Sequence, residues 1–175
     1  SEIEEVARRL DEILERHNDV LRKVKEKHEE ILRRHRKRVR EVEEELKKIL
    51  KELREKGLDE KDVRKTEKEV REIKKKAKED HERLKRNIER MERELEKRNE
   101  DLRREVEKIK REARDDREDA KDLKRKVDEL RRKAEESMKE VERHVRENAE
   151  HVKRSVEELE EDVRRLRKKL EEKER

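Results

Sequence analysis

Six histidines are the residues of this chain with the widest chemistry. An imidazole can hydrogen-bond, ligate a metal, or take up a proton near neutral pH. They are His17, His28, His35, His81, His144 and His151. Their setting is clearest between Ser137 and Ser155. There Met138, Val141, Val145, Val152 and Val156 form an apolar helical stripe, and Ser137, His144, Asn148, His151 and Ser155 run beside it. Polar groups next to a core seam form either a buried hydrogen-bond network or a site.

Three chemistries fit such residues. The first is a hydrogen-bond network that fixes helix register and partner choice. The second is a pH response. A buried neutral histidine resists protonation because its charged form is desolvated. Arg33, Arg34, Arg36, Lys37, Arg38 and Arg40 flank His35 and add to that resistance. Acid unfolding or rearrangement is expected at about pH 4–6. The third is a Zn²⁺ cradle of His35, His81 and His151. Against it, the chain has no His-x-x-x-His and no inward carboxylate in a Glu-x-x-His arrangement. No metal and no cofactor are therefore expected.

Enzymatic function is not expected either. Cysteine is absent, serine occurs three times and threonine once, and no Gly-rich loop positions a nucleophile. The surface balances 60 basic against 55 acidic residues, a mixed-sign face that points to neither nucleic acid nor membrane. The basic run Arg33–Arg40 lacks aromatic interleaving and is followed at once by Glu41, Glu43, Glu44 and Glu45. No targeting segment is read, and apolar runs stop at pairs such as Ile31-Leu32, too short to span a bilayer.

The elements that position the histidines follow from apolar periodicity. The 175 residues include no proline, no aromatic residue and one glycine, and 66 % are charged. That is the composition of long helices. The first seam runs Ile3, Val6, Leu10, Ile13, His17, Val20, Val24, His28, Ile31, His35, Val39, Val42, Leu46, Ile49, Leu53. Its mean step of about 3.57 residues lies between the coiled-coil and straight-helix periods. Gly57 suits a helix C′ position, and Asp59 with Asp62 opens a second helix. Asp116 with Asp119 repeats the pattern and opens a third. The spacing predicts helices over about 2–56, 60–114 and 117–174 in a single domain spanning 1–175. One continuous helix from Asp59 to Arg175 is the competing arrangement.

Short turns make successive helices antiparallel. The fold class expected is all-α: an antiparallel up-down-up three-helix bundle, a long coiled-coil-like rod of roughly 80 Å. Residue i of helix 1 then lies level with 115−i of helix 2 and i+116 of helix 3. Apolar residues meet apolar residues, as in Leu10 with Val106 and Val127. The polar residues also converge: His17 with Asn99, His28 with Asn87 and His144, His35 with His81 and His151. About 15 apolar residues per helix fill one inward seam, so a monomer requiring no partner is favoured over a homo-oligomer.

These features together carry a resemblance. The Ser-Glu-Ile-Glu start, the Glu/Lys/Arg-saturated surfaces, the absent aromatics, the Asp-capped turns and the His/Asn/Ser levels resemble a computationally designed helical bundle with buried hydrogen-bond networks. The resemblance implies bundle specificity, hetero-oligomer assembly or pH-driven disassembly as the purpose. It implies no natural activity, and recombinant cytoplasmic expression as the setting. Cellular localisation is otherwise unread.

Overall fold

A computed structural model of the chain describes residues 1–115 and 118–174. They form an all-α three-helix bundle: α1 (Glu2–Glu55), α2 (Glu60–Arg114) and α3 (Ala120–Glu174). The helix ends follow local chemistry. At the start of α1, the Glu4 N–H donates to Ser1 Oγ at 3.3 Å, as the Ser-x-x-Glu spacing predicts. Gly57 takes φ +61°, the left-handed conformation that stops α1 without steric cost. The Asp59 carbonyl receives the first bond of α2, from Val63 N at 3.0 Å. Leu58 and Val63 each pack against the adjoining core.

The start of α3 differs from expectation. The Asp116 cap lies outside the described residues, but α3 begins at Ala120 rather than near 117. Its cap is Asp119, whose Oδ1 accepts from Asp122 N at 2.9 Å. The reason is degeneracy. Asp119-x-x-Asp122-Leu123 has the same cap, N3 and apolar N4 pattern as Asp116-x-x-Asp119-Ala120. The break between Arg114 and Ala120 also overturns the continuous-helix alternative.

All three helices contribute to each of two compact units, Ser1–His28 with Ile88–Arg146, and Glu29–Asn87 with Glu147–Arg175. The core of the first holds Leu10, Ile13, Leu102, Val106, Val127 and Leu130. The core of the second holds Leu46, Ile49, Leu53, Val70, Leu159 and Leu170. Most predicted seam residues are buried in their unit; Val20, Ile31, Val63, His81, Met91, Ala120 and Asn148 are half-buried, and Ile3 is 47 % exposed.

Register is visible within each unit. In the first, His17 meets Asn99, Asp11 pairs with Lys110, and Arg16 pairs with Glu135. In the second, His35 meets His81 and Ser155. The α1–α2 pairing of histidines keeps the expected register to within one residue. Along α3, the partner of His35 lies 120 residues on, not 116. That displacement, close to one helical turn, follows from α3 starting about three residues late.

Candidate functional site: the buried polar layers

The second unit holds a hydrogen-bonded chain across all three helices. On α1, His35 is 1 % exposed. Its Nδ1 lies 2.9 Å from Nδ1 of His81 on α2, and its Nε2 lies 3.2 Å from Ser155 Oγ on α3. The Ser155 hydroxyl donates to Asp80 Oδ2 on α2 at 2.9 Å. The two imidazole planes are 6° apart, with ring centroids 5.1 Å from each other.

Proton counting gives this chain a direction. Ser155 has one proton and gives it to the Asp80 carboxylate, so its lone pair must accept from His35 Nε2–H. Neutral His35 then has a bare Nδ1, which must accept from His81 Nδ1–H. The order His81 → His35 → Ser155 → Asp80 satisfies every step. An added proton on His35 Nδ1 sets donor against donor until His81 shifts its own proton to Nε2, and it buries a charge in the layer.

Electrostatics agree with the geometry. Burial foremost, then the neighbouring His81 and His151, pushes the His35 pKa down to about 4 from 6.5; Asp80 opposes the shift. His81 is also lowered, first by burial and then by Arg36 and Lys85, with Glu82 opposing. Burial therefore outweighs the basic belt expected to act on this level. Lys76 on α2 is engaged by acids, 3.3 Å from both Glu158 and Asp162.

His151 was expected on the His35–His81 level. It lies close enough to His35 to disfavour its charged form. Its Nε2, however, is buried without a hydrogen-bond partner, and Ser155 takes the bonded place. The late start of α3 is the physical reason. Asn148, like Asn87, is half-buried.

The first unit carries separate polar contacts. His17, 2 % exposed, pairs through Nδ1 with Asn99 Oδ1 at 2.9 Å, as the register predicts. The partner found for His28 is a different one from those expected. Its Nδ1 donates to Glu92 Oε1 at 3.0 Å, while Nε2 is buried and makes no hydrogen bond, so neither Asn87 nor His144 is held there. Glu92, one residue beyond the seam residue Met91, is the side chain that reaches the ring. His144 has a side chain 43 % exposed, with Nε2 3.6 Å from Glu140 on its own helix. Ser137 accepts from Arg98 Nη1 at 3.4 Å, and the same guanidinium bridges Glu94 and Glu140. Arg98 holds the Glu140 carboxyl below its usual range.

Asp80, Glu92 and Arg98 complete these layers and were not singled out from sequence. Each flanks a seam position, which was the available signal. With 55 acidic and 60 basic residues, nearly every seam residue has such a neighbour. Among the described residues, no group of three or more His, Cys, Asp or Glu is arranged to hold a metal ion. Among them, too, no helix is long and apolar enough to cross a membrane. The chain matches no family model, no curated protein and no solved structure.

Proposed function

We propose that this chain is a designed structural scaffold whose polar layers specify helix register and pairing. The observation that carries the reading is the directed chain His81 → His35 → Ser155 → Asp80, which takes one group each from α1 and α3 and two from α2. Sliding any helix by a turn strands at least one buried donor or acceptor, at about 1–3 kcal/mol each. Apolar seams of near-uniform Leu, Ile and Val impose no comparable penalty. The reading includes no enzymatic activity and requires no cofactor, nucleic acid, membrane or second chain.

The test is an all-apolar layer: His35→Leu, His81→Leu and Ser155→Ala together. Thermal stability should hold or rise, because apolar packing replaces desolvated polar groups. Pairing should lose uniqueness, giving several oligomeric species by light scattering. A single species matching the parent chain would remove the specificity argument.

A second reading is favoured by the depressed proton affinity of His35 and His81. Here the same layer is a pH-responsive switch that opens in acid, because a proton on His35 places a buried positive charge beside His81 and His151. Helicity and sedimentation followed from about pH 8 to 4 read it directly.

A further inference from the structure

In the first unit, His17 has a ring nitrogen that no protein group claims. The Asn99 amide oxygen accepts at 2.9 Å, which places the ring proton on Nδ1 and leaves a lone pair on Nε2. The sealed, unpartnered side-chain atoms among the described residues are His28 Nε2, Glu118 Oε2 and His151 Nε2; His17 Nε2 is not one of them. It is therefore open to solvent, although the residue is 2 % exposed. His17 lines an open groove of about 350 Å³ in which α2 and α3 supply the other walls. A single acceptor thus looks out from an otherwise buried side chain.

The lining defines what this acceptor would meet. Leu102, Leu130 and Ala134 supply apolar surface. Asp101, Glu105, Glu136 and Glu140 face Arg98 and Lys133, an excess of two negative charges. Arg98 is already bound by Glu94 and Glu140. Asp101, Glu105 and Glu136 form no ion pair among the described residues. The groove therefore offers a lone pair, free carboxylates and an apolar wall.

We infer that this groove is a binding site for a small organic cation with an apolar body, of the aryl-amidinium class, whose N–H donates to His17 Nε2. The volume suits such a ligand, since small-molecule sites begin at about 300 Å³. An aromatic ring covers the leucines, and the cationic head answers the carboxylates. An anion meets the wrong charge and a second acceptor. A neutral hydroxyl donor satisfies Nε2 but gains nothing from the carboxylates. A metal ion finds one imidazole and no converging ligand set among the described residues.

Benzamidine is the probe, titrated into the ¹⁵N-labelled full chain at about pH 7.5, where the probe is cationic. The expected result is a saturable shift of the His17 Nε2 resonance and of nearby backbone amides. An open groove and so small a ligand imply a Kd of about 1 mM. Benzoate should not bind, and benzyl alcohol should bind about tenfold more weakly. His17→Leu keeps the core filled and should weaken binding about tenfold. The solvent-side triple variant Asp101→Asn, Glu105→Gln, Glu136→Gln should weaken it as well, and does not depend on His17→Leu folding. Equal binding of benzoate or benzyl alcohol, an unchanged Kd in the triple variant, or no saturable shift by about 20 mM would overturn the inference.

Discussion

Lowering the pH adds a proton to the unfolded chain at His35 before the folded chain accepts one. The folded pKa is about 4 against 6.5 in the open chain. Above pH 6.5 both states are neutral and the full stabilisation is present. Between 6.5 and 4 the unfolded state binds the proton that the folded state refuses, so stability falls. Below about 4 both states are charged and no further loss comes from this group. The gap corresponds to about 3 kcal/mol at about 1.4 kcal/mol per pH unit. Screening by solvent and salt beside the half-buried His81 brings the expected loss to about 2 kcal/mol. His81 moves in the same direction and steepens the same window. The chain also has 55 carboxylates, a class of group that ordinarily titrates near the lower end of this window, so the assay needs a reference. Urea unfolding of the parent and of His35→Leu at a series of pH values supplies one. The stability of the parent relative to His35→Leu should fall by about 2 kcal/mol from pH 7.5 to 4. A difference constant to within about 0.5 kcal/mol would refute the assignment of this proton to the buried layer.

Other changes test individual links. Ser155→Ala removes both the acceptor for His35 Nε2–H and the donor to Asp80, and should cost about 1–3 kcal/mol in urea unfolding at neutral pH. Asp119→Ala removes the carboxylate that accepts Asp122 N–H and should cost about 1 kcal/mol, read as lost helicity and a lower melting temperature. Gly57→Ala places a Cβ where nothing lies within 4 Å. Its cost, about 1 kcal/mol, should therefore be the left-handed backbone penalty alone, seen in the same thermal melt.

The Asp-capped turns show how far local sequence reaches and where it stops. Gly57 and Asp59 bracket a unique stop and start, so the end of α1 and the beginning of α2 were legible to within a residue. At the second turn, Asp116 and Asp119 present the same local pattern. No local rule separates them, and the choice of Asp119 moved α3 by about three residues. That one displacement replaced His151 by Ser155 as the bonded partner of His35. His17 with Asn99 and His35 with His81 lie on α1 and α2, whose register rests on the unambiguous turn, and both pairs formed as expected.

The sequence by itself determined the three helices, their buried seams and which histidines face inward on α1. Period, capping residues and the lone glycine act over a few neighbours, and each leaves a readable pattern. Only the tertiary structure decided which polar groups complete each layer. Ser155 rather than His151 meets His35 and donates on to Asp80, Glu92 holds His28, and Arg98 gathers Ser137 and Glu140. Those choices depend on side chains reaching across from another helix, where a shift of one turn exchanges one partner for the next. In a chain with a charge beside nearly every seam position, only packing distinguishes among them. The same packing leaves His17 Nε2 open on a groove while it seals the corresponding nitrogen of His28.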